Sequence, residues 1–356
     1  MSFRLCFASR LASIRRQSSF LVMLSCCCWS AFAQPVPAVP ISGPWVAKPG
    51  FSFDAKSDKT RRSLSGIACA LNAQNRRVCL VIFDEGAQAR FIDVEDGGFT
   101  IDPTPVLLGA QGGELDAEGA ATDGAYFYVT GSHSVKRQSC AQNPASQRVI
   151  RFARDSATGK ALQQSGVPVG YIESGRLMSI MASLPELKNH MKSCLGEGGV
   201  NIEGMAVLAG RLYFGMRAPS IDGDALVVSV DVEKFFRGVD AEPRVSRVTL
   251  GKGRGIRDLT VVDGQILILA GPDDADSNVN VGWTVEAWDG QPAQPGSAKP
   301  RVVASLALGG VKLRACDKEL KPEALAVLTR DAQRQRVLVM SDGMCDGGGL
   351  VFDIAR

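Results

Sequence analysis

Apolar residues along this chain fall in short paired runs separated by turn residues. Two pairs are clearest: Glu118-Gly119-Ala120-Ala121 with Ala125 through Gly131, and Glu203-Gly204-Met205-Ala206 with Arg211 through Gly215. Asp258-Leu259-Thr260-Val261 with Gln265 through Gly271, and Glu323-Ala324-Leu325-Ala326 with Arg336 through Ser341, repeat the arrangement. Ser65-Gly66-Ile67-Ala68 with Val78 through Ile82 opens the series. Each unit reads as an apolar strand, a turn of Gly, Asp or Asn type, and a second strand rich in β-formers. The anchors at 65, 118, 203, 258 and 323 are spaced by 53, 85, 55 and 65 residues, which makes the chain a repeat protein.

More strand-like material follows each pair. Ala225–Asp231 and Val245–Leu250 follow the third unit, and Val285–Trp288 and Arg301–Leu306 the fourth. Four strands per unit, apolar inside and mixed outside, predict an all-β fold: a five-bladed β-propeller, with six blades as the alternative if the long gap hides one. The last unit has three strands, ending in Leu350–Ile354. Its missing edge is expected from Gly43–Ala47 or Phe51–Phe53, because ring closure removes exposed sheet edges. The gap between the second and third units predicts one or two helices over residues 175–195. Ser183-Leu184-Pro185-Glu186 has capping-box form, and Leu187, Met191 and Cys194 share a helical face.

The domain plan is a signal peptide over 1–33, a Pro-rich linker over 34–44 and a propeller over 45–356. The signal reading rests on a basic stretch ending at Arg16, an apolar run from Phe20 to Trp29 and Ala31-Phe32-Ala33 before Gln34. It predicts a periplasmic or secreted protein, with no membrane contact after cleavage. The formal charge of +3 changes with that reading. Four Arg and no acidic residue lie within 1–33, and their removal leaves 36 basic against 37 acidic side chains. A near-neutral body gives no electrostatic reason for a nucleic-acid partner. Six cysteines remain after cleavage, and an even number in an exported chain predicts disulfides. Fifteen pairings exist in principle; the spacing favours Cys69–Cys79, Cys140–Cys194 and Cys316–Cys345.

Antiparallel pairing places the start of each first strand and the end of each second strand on one face of the ring. Glu118, Glu203, Asp258 and Glu323 therefore gather around one mouth of the channel, with Asp84-Glu85, Ser132-His133, Met216-Arg217, Pro272-Asp273 and Ser341-Asp342. That concave polar mouth is the candidate site. Like charges packed together need cations, raised pKa values or Arg partners. Glu118, Glu203, Asp258 and Glu323 are thus candidate metal ligands, and Ca²⁺ suits scattered oxygen donors. The structural alternative is that each carboxylate accepts backbone N–H groups of the next blade and locks the ring. His133, Arg217, Arg257 and Asp342 are candidate ligand-binding residues, the two arginines serving otherwise as charge partners. Two histidines in the whole chain exclude a histidine-rich zinc site. Gly251-Lys252-Gly253-Arg254-Gly255 lacks the P-loop and dinucleotide patterns, so no nucleotide cofactor is expected.

Ser65-Gly66-Ile67-Ala68, Asn201 through Ala206, Gly255-Ile256-Arg257-Asp258-Leu259, Leu269-Ala270-Gly271-Pro272 and Lys321-Pro322-Glu323 resemble the bacterial domain-of-unknown-function family 3616 over about residues 60–345. The resemblance implies a propeller of unassigned activity and carries no catalytic residues across. Glu-Gly-x-Ala strands are similar to those of esterase-like phytases, lactonase-type propellers and calcium-dependent nucleotidases. That wider likeness implies a calcium-assisted phosphoester or ester hydrolase, matched here at Glu118, Glu203, Asp258 and Glu323 and broken by Ser65. Two expectations follow: a monomer binding a small molecule or protein at the mouth, or such a hydrolase, with His133 moving a proton and Arg217 and Arg257 holding an anion.

Overall fold

The computed structural model describes residues 37–53, 57–109, 113–164, 166–278, 280–293 and 295–356. The signal-peptide reading of 1–33 and the first residues of the Pro-rich segment lie outside them. Five antiparallel sheets follow one another along the chain. Blade 1 comprises Leu64–Leu71, Arg77–Phe83, Gln88–Glu95 and Gly98–Ile101. Blade 2 comprises Ala117–Thr122, Tyr126–Gly131, Val149–Ala153 and Ile172–Ser174. Blade 3 holds Asn201–Leu208, Arg211–Ile221, Asp224–Asp231 and Arg244–Thr249. Blade 4 holds Arg254–Val262, Gln265–Pro272, Trp283–Trp288 and Arg301–Leu306. Blade 5 has three strands, Lys321–Arg330, Arg334–Asp342 and Leu350–Ala355. The five-bladed propeller expected from the repeat is what the chain forms.

Each seam between blades carries its own hydrophobic core, because the second strands are buried on both faces. Phe127 and Phe152 of blade 2 pack with Leu80 and Phe91 of blade 1. Met205 and Phe214 join Tyr128 across the next seam, Ile256 and Ile268 join Val227 across the third, and Leu325 and Val339 join Leu269 across the fourth. Met340 and Leu338 of blade 5 meet Ile67 and Phe83 of blade 1, which closes the ring. Gly119 shows how closely the seams approach. A Cβ there would lie 2.8 Å from Met205 Cβ of blade 3. A fully buried Phe or Leu contributes about 1.5–3 kcal/mol, so five such cores offset much of the ordering entropy.

The ring is fastened by its N-terminal segment. Pro37–Ala38 adds in parallel to the outer strand of blade 4. Ile41 N then donates to Val351 O at 2.7 Å, Val351 N to Ser42 O at 2.9 Å and Trp45 N to Gly349 O at 2.8 Å. The missing edge of blade 5 is therefore covered by 41–45, and Phe51 packs into the seam core rather than the edge.

The inserted helix starts where the 175–195 span was expected to begin but covers only its first part. It spans Arg176–Ser183, and Leu184 is extended (φ −85°, ψ 127°). The proline decides this: a residue before proline is pushed out of helical geometry, so Pro185 stops the arriving helix at the place where the capping-box pattern predicts a start. Turns follow, yet Leu187 and Met191 bury beside Leu177 and Met181 as their spacing required. All six described cysteines pair, as Cys69–Cys79, Cys140–Cys194 and Cys316–Cys345. No helix among the described residues is long and apolar enough to cross a membrane.

Candidate functional site

In every blade the first two strands break register at an inner residue, and blades 3 and 5 have a second shift elsewhere in the pair. Ser65, Glu118, Glu203, Arg257 and Glu323 each fall between paired neighbours. A β-bulge leaves one residue outside the ladder and re-aims its side chain. Three of the five, Glu118, Glu203 and Glu323, line a mouth cavity of about 800 Å³. Ser65 instead donates its hydroxyl to Ala117 O of the next blade.

The fourth blade corrects the sequence reading. Its bulge residue is Arg257, one place before Asp258. Asp258 occupies the position of Gly119 and Gly204, which face the following blade. It is fully buried, and its oxygens accept Leu259 N at 2.7 Å and Leu325 N at 2.6 Å. For this residue the locking role holds: its carboxylate ties blade 4 to blade 5 and does not reach the cavity.

Arg257 supplies the ring's internal cation. It is 1 % exposed and lies behind the carboxylates. Its Nε pairs with Glu203 Oε2 at 2.8 Å and its Nη2 with Glu323 Oε1, under the Trp283 ring at 5.6 Å. Arg217 pairs through Nη1 with Glu203 Oε1 at 2.8 Å and through Nε with Asp274 Oδ1 at 3.0 Å. Asn201 Nδ2 donates to both Glu203 and Asp274. Burial opposes the charge on Arg217, but Glu203 and Asp274 outweigh it and raise its pKa. Gly255 makes room for this arginine, since a Cβ there would lie 2.2 Å from Arg217 O.

The calcium set does not fit this geometry. Glu203 is engaged on both oxygens by guanidinium groups, Glu323 by one, and Asp258 by backbone N–H groups. Of the four, only Glu118 has no partner among the described residues. The fold therefore neutralises its central carboxylates with arginine, one of the alternatives left open by the charge argument.

Further acids line the mouth, together with Lys136, Arg137 and Lys321. Asp84, Asp116 and Asp342 line the cavity with Glu118. Glu118 makes no hydrogen bond or ion pair among the described residues; burial, then Glu203 and Asp116, raise its pKa well above the usual range. Asp84 Oδ1 is buried without a hydrogen-bond partner, and burial, then Asp342 and Asp116, push its carboxyl up to about 7. Burial also raises Asp116, which accepts the Ser132 hydroxyl, and Glu323, where Arg257 opposes the shift. Asp342 pairs with Lys321 Nζ at 3.2 Å.

His133 is not part of the cavity wall. Its φ of +56° turns the ring inward, where it is 2 % exposed and Nδ1 lies 2.9 Å from Gly131 O. Burial lowers its pKa to about 4, so the imidazole is neutral at physiological pH. It is a buried residue outside the cavity lining, with Nε2 lacking a hydrogen-bond partner among the described residues.

Asp116, Asn201, Asp274 and Lys321 were missed by the sequence reading. Three of them had a signal: Asp116, Asn201 and Lys321 each precede the bulge residue of their blade by two positions. Alternation along a strand puts residues two apart on one face.

Fold and mouth together define a five-bladed propeller with an arginine-neutralised carboxylate ring beneath an open acidic cavity. The chain belongs to the family described as "Protein of unknown function (DUF3616)", whose sequence model matches residues 88–160 and 169–346. No curated protein matches it. Among solved structures it is similar to an exo-1,5-alpha-L-arabinanase from a bovine ruminal metagenomic library, with 10% identity, 85% of this chain and 95% of that one covered, and a TM-score of 0.42. It is similar also to a Bacillus subtilis arabinanase, with 9% identity, 82% and 94% covered and a TM-score of 0.39. A glycosyl hydrolase from Bacteroides ovatus gives 12% identity, 91% and 92% covered and a TM-score of 0.42.

Proposed function

We propose that this protein is an exported binding propeller whose mouth holds a small molecule through a cationic group. The observation that carries this reading is Glu118, a carboxylate without a partner among the described residues that lines a cavity of about 800 Å³. Cavities of about 300–1,000 Å³ suit small molecules. The second support is Asp84 Oδ1, buried and unpartnered on the same wall. An ammonium group arriving between these carboxylates relieves their mutual repulsion and supplies the missing hydrogen bonds. Export is supported by the three disulfides and by the N-terminal pattern over 1–33.

Calorimetric titration with 1,5-diaminopentane and with glutarate tests the reading. The diamine is expected to bind and the dicarboxylate not. Glu118→Gln should weaken the diamine at least tenfold while leaving the melting temperature unchanged or higher, because this side chain supports no other. Protons compete with the cation for Glu118, whose pKa is raised, so affinity should fall as the pH drops from 8 to 6. Equal diamine affinity in Glu118→Gln would overturn the proposal.

A further inference from the structure

The mouth is polarised in depth. Its floor carries the carboxylates of Glu118, Asp84 and Asp116. Its rim carries Lys136 and Arg137, which line the same cavity, are exposed, and form no ion pair among the described residues, beside the exposed Glu114, whose Oε1 accepts Gly86 N at 3.0 Å. These two belong to a fixed hairpin. Val135 pairs with Gln142, Lys136 N donates to Ala141 O at 2.8 Å, and Cys140 N donates to Lys136 O at 2.8 Å. The Cys140–Cys194 disulfide then fastens the hairpin to the insertion between blades 2 and 3, whose Leu195 lines the cavity too. The cations are thus held over the opening by a covalent staple.

We infer that the ligand is a small zwitterion, bound with its ammonium end against Glu118 and Asp84 and its carboxylate end against Lys136 and Arg137. This rests on the cation-binding reading and narrows it. A single cation would leave the rim charges without partners. A dication would bring its second ammonium beside Lys136 and Arg137, where like charges repel. A dianion would meet the unpaired floor carboxylates. Only a molecule with opposite charges at its two ends satisfies floor and rim together, and ω-amino acids and short peptides share that chemistry.

The carboxylate rows of the floor also argue against a metal ion as the occupant. Among the described residues, no three of Asp84, Asp116, Glu118 and Asp342 bring one oxygen each within 4.8 Å of one another. A spaced set of acceptors suits an extended organic ligand better than one ion.

Three five-carbon probes separate the outcomes: 5-aminopentanoate, 1,5-diaminopentane and glutarate, titrated into the disulfide-intact protein. The expected order is 5-aminopentanoate tightest, by at least tenfold over the diamine, with glutarate not binding. Triglycine, with the same end groups on a peptide chain, distinguishes a peptide from an ω-amino acid as the favoured source. Lys136→Ala/Arg137→Ala, on an exposed hairpin, should keep the melting temperature and erase or reverse the preference for 5-aminopentanoate over the diamine. If the diamine binds as tightly as 5-aminopentanoate, or if the double variant leaves their ratio unchanged, the zwitterion inference is overturned while the cation site stands. If neither amine binds, both fall.

Discussion

Removal of Arg257 is the sharpest probe of how the ring holds its charge. In Arg257→Met the methionine fills much of the aliphatic stem but leaves the acids behind. Glu203 keeps Arg217 at 2.8 Å and Asn201 at 3.2 Å. Glu323 keeps no ion pair among the described residues, since its partner was Arg257. Breaking a buried pair from one side costs about 3–5 kcal/mol, because an uncompensated charge stays inside. For a domain of this length, at about 2.1 cal/mol/K per residue of unfolding entropy, that is a fall of roughly 4–7 °C in melting temperature. Arg257→Met/Glu323→Gln removes the orphaned charge as well and should recover most of the loss. The pH dependence has a definite sign. Burial already raises the Glu323 pKa against the pull of Arg257, and loss of the arginine raises it further. A carboxyl with a raised folded-state pKa binds a proton that the unfolded chain has released, so its stability contribution is largest on the acid side and declines as pH rises. The single variant should therefore close its gap with the native protein between pH 7.5 and 5.5. Tryptophan fluorescence melts, using Trp45, Trp283 and Trp288, measure all three proteins. A single variant within 1 °C of the native protein at pH 7.5, or a double variant no better than the single, would refute the charge argument.

Two further outcomes follow from the same geometry. Asp84 and Glu286 are pushed up to about 7, mainly by burial, and Glu118 and Glu323 are raised in the same direction. The ligand-free protein should melt higher at pH 5.5 than at pH 8, and Asp84→Asn should raise the melting temperature at pH 8 and flatten that slope; a native melting temperature that climbs with pH over this window would sink the account. Asp258→Ala should lose about 1–3 kcal/mol by stranding Leu325 N–H in the seam while 1,5-diaminopentane affinity stays unchanged, and altered binding without a change in melting would mean that Asp258 belongs to the site after all.

The propeller was legible because its signal is repeated. Each second strand is an apolar run buried on both faces, Leu80-Val81-Ile82 in blade 1 and Ile266 through Ala270 in blade 4, and such runs stand out even where the units differ in length. The short helix Val232–Arg237 in blade 3 was not legible. Six residues are too few to display a helical period, and what defines it is local: Asp231 accepts Lys234 N at 2.9 Å, and Gly238 closes it at φ +79°. The inserted helix misled for the opposite reason. Ser183-Leu184-Pro185-Glu186 satisfies a start pattern, but the helix arriving from Arg176 needs a stop at the same place, and proline imposes the stop on the residue before it.

The acidic positions of the ring were legible in blades 2, 3 and 5, but in blade 4 the reading falls one residue late, and that shift changes the chemistry there. Aligning acids with acids put Asp258 beside Glu118, Glu203 and Glu323. Alternation cannot correct this, because a bulge shifts the alternation by one within each inner strand, and a sequence does not display where a ladder breaks. The hydrophobic pattern downstream does carry the register: Gly119-Ala120-Ala121, Gly204-Met205-Ala206 and Ala324-Leu325-Ala326 match Asp258-Leu259-Thr260, with the buried middle residue in each case packed in the core. Alignment on that buried residue places Arg257 in the ring. The inner positions then read Ser65, Glu118, Glu203, Arg257 and Glu323, two of whose three carboxylates the arginine neutralises directly. The acid left over is Glu118, in the blade whose second strand leads into the stapled Lys136–Arg137 hairpin. The unpaired anion and the unpaired cations thus belong to neighbouring parts of one blade, separated by depth, and it is this pairing across the cavity that a ligand with two opposite ends would complete.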